Sequence, residues 1–512
     1  MTDQQARLQQ AEREILSRRP EHSIEPSLDR IRALTALLGD PQRAYPVIHI
    51  TGTNGKTSTA RMIETLLRAR GLRTGLFTSP HLSSIRERIS VDGEPLSAER
   101  FADAYDEVLP YLSLVDESQP AALSFFEVLT AMAFSVFADA PVDVAVIEVG
   151  VGGTWDCTNI ADGAVAVVTP ISLDHERYLG NSVSSIAGEK AGIIKPGAVA
   201  VLAQQPADAA EILLRRAVEV GATVAREGLE FGVTSRELAV GGQLLSIQGL
   251  LGRYDDLFLP LFGAHQASNA ACALAAVEAF AEPTPTGGDG EALDGVDRGE
   301  GRDGGSGLEG QLGEAGASGE GRPEVGPSRW HAGGSGGVVP PRQALAPALV
   351  RSAFATMSSP GRLEVVRRSP VVIVDAAHNP AGMAATVAGL GEAFAFTELV
   401  AILAVSEDKD VPAIMDELEP LVSELVVTSN SSPRSADPDK LAEMASAVFG
   451  PDRVRAVPRL DDAIEIGVAL ADEADARGAA SGGPPGTALV LITGSVITAG
   501  DARLLLTRSG EG

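Results

Sequence analysis

An α/β fold of two unequal, mostly parallel-sheet domains is predicted by three features of the sequence. The first is the apolar run Val47 to Ile50, which ends in Thr51-Gly52-Thr53-Asn54-Gly55-Lys56-Thr57-Ser58 and leads into a helical stretch from Met62 to Arg70. The second is Val142-Asp143-Val144-Ala145-Val146-Ile147-Glu148, an almost unbroken apolar strand of the kind buried on both faces in parallel sheets. The third is a later series of apolar strands, at 371–375, 399–405, 424–428, 453–457 and 488–493, alternating with helical patterns. A chain of 512 residues also exceeds one ordinary core.

In chain order, Leu8, Ala11, Ile15, Leu28, Ile31, Leu34 and Leu37 recur at helical spacing, so 8–38 reads as helix, stopped by Gly39-Asp40-Pro41. The stretch 47–60 has the strand, glycine-rich turn and helix order of a phosphate loop. Small residues let backbone N–H groups converge on phosphate oxygens, and the helix N-terminus adds a favourable dipole. Lys56 supplies a cation, and a hydroxyl from Thr57 or Ser58 can complete a magnesium shell. Ile50 stands where the loose pattern wants glycine, so the loop is a variant.

A second strand is expected at 73–77, followed by Thr78-Ser79-Pro80-His81-Leu82 and the short apolar run 89–91. Helices are expected at 97–115 and 121–138, and a strand at 164–169 repeats the design of 142–148. Strand and helix alternate to about 225, and 229–262 reads as a small antiparallel meander. A helix runs from about Gln266 to Phe280, and another from about 344 to 357. The expected domains are residues 1–357, a P-loop ATPase-type sheet domain, and 363–512, a smaller Rossmann-like α/β domain. The hinge is 358–362. Between about 283 and 341 the chain is dominated by Gly with Pro, Ser, Asp and Glu. It offers too little apolar surface to offset its chain entropy, so it is read as a disordered insertion, Trp330 included.

The net charge of −28 argues against a nucleic-acid binder, which would show a basic face. Two distant cysteines, Cys157 and Cys272, suggest neither a disulfide framework nor a zinc site. The polar N-terminal stretch and the lack of a long apolar run make the cytoplasm the expected location, with no membrane partner.

Glu148 closes a buried strand beside the phosphate-loop strand, where a magnesium ligand is needed, and the glycines after it allow close approach to a ligand. A strand-terminal glutamate alone serves as often as a cap, so the neighbouring loop carries the weight. His175 follows the next strand and can offer an imidazole. Asp375 ends the first apolar strand of the second domain, and Arg362 after the hinge has the reach for phosphates. Lys190 by itself reads as an ordinary helix lysine.

The motifs together resemble the folylpolyglutamate synthase and dihydrofolate synthase family of the Mur ligase superfamily. Those carrying the resemblance are Gly52 to Ser58, Thr78 to Leu82 with Arg86-Glu87-Arg88, Ser124 to Glu127, Glu148 to Gly153 and Asp156 to Asn159. Ser172 to His175, Glu189 to Gly192, His265 to Ala270, Pro360 to Arg362 and Asp375 to Pro380 complete the set, in family order. The resemblance implies an ATP-dependent, ADP-forming ligase that joins L-glutamate to folate or dihydropteroate; a monomer is the expected state. It implies ATP contacts from Gly52, Thr53, Asn54, Gly55, Lys56, Thr57, Ser58, Asn269, Arg362 and Asp375, with His378 near the terminal phosphate. Two magnesium ions are implied, held by Ser58, Ser79, Glu148, His175 and a carbamylated Lys190. The acceptor would meet His81, Arg88, Ser124, Phe125, Phe126, Glu127, Trp155, Asp156 and Cys157. Thr57 and Ala376 replace glycines common in the family, and Cys157 an alanine. Two rival readings stand beside this one. A UDP-muramoyl amino-acid ligase would carry a further domain before the phosphate loop, where only about fifty residues precede it. A non-ligating P-loop regulator would have no use for Glu148, His175, Lys190 and Asp375 together.

Overall fold

The computed structural model describes residues 3–21, 23–280, 344–480 and 487–508. The glycine-rich insertion expected at about 283–341 lies outside the described residues.

Parallel strands buried on both faces organise both halves of the molecule. The larger sheet contains β1 Val47–Thr51, β2 Thr74–Phe77, β3 Ile89–Val91, β4 Glu94–Pro95, β5 Val144–Glu148, β6 Gly163–Val168, β7 Val199–Leu202 and β8 Thr223–Arg226. Their order is β4-β3-β2-β5-β1-β6-β7-β8, so the phosphate-loop strand β1 sits between β5 and β6. All pairs from β2 to β8 are parallel, and β3 and β4 add an antiparallel edge. Side chains alternate between the two faces. Ile48, Ile50, Val144 and Val146 pack with the helices Lys56–Ala69 and Ala264–Phe280, whereas Val47, Ala145 and Ile147 pack with Ala98–Ser118 and Phe125–Asp139. This two-sided burial is why β5 reads as an unbroken apolar run. Ile50, fully buried in β1, is a strand residue, and the loop begins after it.

The expected meander is present as β9 Gly232–Ala239, β10 Gly242–Gln248 and β11 Arg253–Leu259, antiparallel in the order β11-β10-β9. The second half holds β12 Glu364–Arg368, β13 Val371–Val374, β14 Glu398–Leu403, β15 Glu424–Ser429, β16 Val454–Arg459 and β17 Ala488–Thr493. They are ordered β12-β13-β17-β14-β15-β16, with β12 alone antiparallel.

Two expectations change. The helix read over 8–38 is two helices, Asp3–Leu16 and Asp29–Leu37. Pro20 and Pro26 fall between them, and each removes a backbone donor and steers its predecessor away from helical angles. The second domain was expected to begin its sheet at 371, yet β12 precedes it. Glu-Val-Val-Arg-Arg is a charged, largely exposed edge strand, a composition that suits an edge and hides it from a search for apolar runs.

Candidate active site

A cleft of about 1290 Å³ opens where loops at the C-terminal ends of strands from both sheets converge. Most of the expected positions line it; Gly52, His81, Arg88, Phe125 and Lys190 do not.

The phosphate loop fits its space because of two glycines. Gly52 has φ +144°, and a Cβ there would lie 1.8 Å from Thr169 Oγ1. Gly55 has φ +86° and would collide at 2.5 Å with Oδ1 of Asn269, which places Asn269 directly against the loop. Lys56 Nζ donates to the carbonyls of Gly52 and Thr53, each at 3.1 Å. Burial pushes its ammonium pKa down, opposed by Glu148 and Asp174. Lys190 Nζ donates to the same Gly52 carbonyl at 2.8 Å, from beneath the loop. Burial first, and then the Lys56 charge, lowers its pKa to about 7.

Glu148, 1% exposed, accepts hydrogen bonds from Thr57 Oγ1 at 3.0 Å and from Ser79 N–H at 3.2 Å. Burial raises its carboxyl pKa, countered chiefly by Lys56. The Ser58 hydroxyl instead pairs with Ser359 Oγ at 2.8 Å. Of the two hydroxyls considered for a magnesium shell, Thr57 is the one set against the carboxylate in this structure. Among the described residues no three His, Cys, Asp or Glu side chains gather as a metal site. One carboxylate among hydroxyl oxygens still fits magnesium, which keeps several waters and shares its shell with phosphates.

Across the cleft Asp375 is 4% exposed, and its carboxylate is spent on the protein. It accepts from Leu363 N–H at 2.9 Å, Ala377 N–H at 2.9 Å and Thr386 Oγ1 at 2.8 Å. It thereby fixes the backbone on either side of Arg362 and His378. His378 Nδ1 lies 2.9 Å from the Ala376 carbonyl, leaving Nε2 to face Asp174 at 3.6 Å.

Asp174 is the node between the two sheets. Lys409 Nζ contacts it at 2.5 Å and Asn379 Nδ2 at 3.1 Å, while His175 Nε2 lies 4.0 Å away. Burial alone would raise its carboxyl pKa, but the His378 and His175 rings and Lys409 outweigh it and hold it well below the usual carboxylate range. Asn379 also exchanges amide hydrogen bonds with Asn54 of the phosphate loop, at 3.0 and 3.2 Å. His175 adopts φ +51° and is 38% exposed at the cleft wall, where desolvation keeps its imidazole below the ordinary value.

On the acceptor side, Phe126 stacks on Phe77 at 5.6 Å, and Gly150 leaves room for its ring, since a Cβ there would lie 2.6 Å away. Ser124 and Glu127 form a reciprocal cap on the helix Phe125–Asp139, and Glu127 also binds buried Arg30 at 2.9 Å. Asp156 accepts from Val151 N–H and Thr158 N–H, each at 3.0 Å, and Cys157 Sγ lies 3.2 Å from Thr130 Oγ1. His81, Arg88 and Phe125, expected to meet the acceptor, do not line the cleft. Arg88 donates to His81 Nδ1 at 2.9 Å and to the Glu21 carboxylate at 2.7 Å, and it lies 4.9 Å over the Phe125 ring. Each of its three nitrogens donates to a protein group, so it braces the residues that do face the cleft.

The Mur ligase middle domain matches residues 50–277, and the Mur ligase glutamate ligase domain matches 361–495. Over 522 residues the chain is 46% identical to the dihydrofolate synthase/folylpolyglutamate synthase of Mycobacterium tuberculosis, covering 99% of this chain and 96% of the relative. The chain belongs to the dihydrofolate synthase/folylpolyglutamate synthase family. The folylpolyglutamate synthase of Lacticaseibacillus casei is 32% identical over 392 residues, covering 76% of this chain and 78% of that one. Among solved structures, a Mycobacterium tuberculosis folylpolyglutamate synthase complexed with ADP superposes with a TM-score of 0.83. It is 45% identical and covers 98% of this chain and 99% of that chain. An FPGS–AMPPCP–folate complex gives a TM-score of 0.72 at 28% identity, covering 98% and 99%. This full-length match displaces both rival readings: the chain is a ligase of the folate branch.

Sequence reasoning missed Lys409 and gave Asp174 no role. A signal for Lys409 existed, since Ser406-Glu407-Asp408-Lys409-Asp410 is a charged run directly after a buried strand. In this ligase, Lys409→Met would leave Asp174 buried without its closest cation. We expect a stability loss of up to about 3 kcal/mol, because removing one partner strands a buried charge. Equilibrium urea unfolding of the two proteins checks it.

Proposed function

We propose that this ligase uses ATP to join L-glutamate to a folate-type carboxylate, whether tetrahydrofolate, dihydropteroate or both. The observation that carries the reading is the convergence of Lys56 and Glu148 from one sheet with Asp375, His378 and Lys409 from the other on one cleft. The acceptor carboxylate attacks the γ-phosphorus, and ADP leaves. The glutamate amine then attacks the acyl carbon, and phosphate leaves. Phosphoryl transfer asks mainly for positioning and charge neutralisation, which Lys56 and Arg362 supply.

Magnesium, when bound, neutralises phosphate charge and aligns the transferring group. Ser58, Ser79, Glu148, His175 and a carbamylated Lys190 would hold it, with the Thr57 hydroxyl on the same Glu148 carboxylate. Gly52 to Ser58, Asn269 and Arg362 would bind ATP, with Asp375 shaping the loop that carries Arg362. Phe126, Trp155, Asp156 and Cys157 would wall the acceptor, with Ser124 and Glu127 beside them. An acyl phosphate hydrolyses if wet, so closure of the two domains about 358–362 would exclude water. The reading is of a monomer acting in the cytoplasm. Among the described residues no helix is long and apolar enough to cross a membrane.

The test is ADP release measured with ATP, glutamate and either acceptor, with each component omitted in turn. Release that requires the acceptor and glutamate together supports the reading. Release indifferent to both contradicts it.

A further inference from the structure

The loop that brings Ser79 to Glu148 does not end in its own domain. Three residues after Ser79, Leu82 packs against the apolar cluster of the second sheet that includes Val374, Ile492 and Ala499. Two glycines make its seat. A Cβ on Gly361 would lie 3.1 Å from Leu82 Cδ2, and a Cβ on Gly500 would lie 2.1 Å from the Leu82 carbonyl oxygen. The near end of the loop is fixed by the Ser79 N–H on Glu148. The far end is stiffened by Glu87, whose carboxylate accepts from Leu82, Ser83 and Ser84 N–H groups at 3.0 to 3.1 Å. Three residues span at most about 11 Å, so the segment has little slack. Packed interfaces switch between discrete arrangements and do not stretch. The second domain therefore cannot shift far without either unseating Leu82 or drawing Ser79 off the carboxylate.

From this geometry we infer that Leu82 is a positioning residue. Seated in the second domain, it sets where Ser79 stands on Glu148, so the position of that domain is transmitted to the phosphate site. This rests on the ligase reading for its consequence in catalysis and on geometry alone for the coupling.

Amide hydrogen exchange of a peptide spanning 77–84, compared among the unmutated chain, L82A, L82M and G500A, tests the coupling without any substrate. Protection of that peptide is expected to fall several-fold in L82A and G500A, to return in L82M, and to stay unchanged over 52–60 in all of them. Steady-state assays should show kcat about tenfold lower in L82A and G500A with KM for ATP within twofold, since a displaced positioning group costs rate more than affinity. G500A replaces glycine inside the helix Val496–Arg508, where alanine is the better helix former, so it decides the matter if L82A fails to fold. Protection and kcat both unchanged in G500A overturn the inference. A failure of the unmutated chain to release ADP would count against the ligase reading and leave the exchange result standing.

Discussion

Replacing Glu148 with glutamine is expected to lower kcat/KM on the order of 10² to 10³-fold while leaving the fold intact, because charge stabilisation at a transferring group is the costliest thing to remove. Glutamine keeps the volume and an oxygen for the Thr57 hydroxyl at 3.0 Å. It removes the carboxylate that bridges the phosphate loop and the Ser79 loop. Burial already disfavours the charged form of Glu148, so a neutral amide relieves a desolvation cost that offsets the lost Ser79 N–H bond and Lys56 attraction, and stability should change little. Kinetics and urea unfolding of the same preparation separate the two effects. Activity within tenfold of the unmutated chain would show that Glu148 holds no catalytic cation.

Lys190→Ala is expected to lose about 10²-fold or more in kcat and to recover part of it with acetate or formate. The buried amine sits at 2.8 Å from the Gly52 carbonyl, and its pKa of about 7 leaves a substantial neutral fraction near pH 7 to 8. A neutral amine can add to carbon dioxide, forming the N–C bond of a carbamate and releasing a proton. The product exchanges a cation repelled by Lys56 for an anionic oxygen ligand of the type magnesium prefers. Alanine leaves room for a small carboxylate to stand in. A rate that neither falls on mutation nor responds to the acid removes the carbamate from the account. Lys190→Arg, which stays charged, should be inactive and deaf to the acid.

The strands were legible where burial is two-sided. Val144 to Glu148 and the strands of the second sheet carry their own signature, because both faces demand apolar residues. The phosphate loop was legible because its glycines answer to backbone angles and close contacts. What escaped the sequence is what depends on a distant partner. Lys409 and Asp174 are 235 residues apart, and neither announces the other. Arg88 lies in a motif, yet a motif does not say which side of a wall a side chain faces. The break at 17–28 was overridden by helical periodicity, although its two prolines were visible. Thr57 and Ser58 are adjacent hydroxyls, and only the helix direction decides which one meets Glu148.

The most direct test of the account is the mass of the product. The chain would be incubated with ATP, magnesium and glutamate, with dihydropteroate in one arm and tetrahydrofolate in the other, and the products separated by mass. The account predicts at least one acceptor heavier by a glutamyl residue, formed in step with ADP. ADP accumulating while both acceptors keep their mass would contradict it.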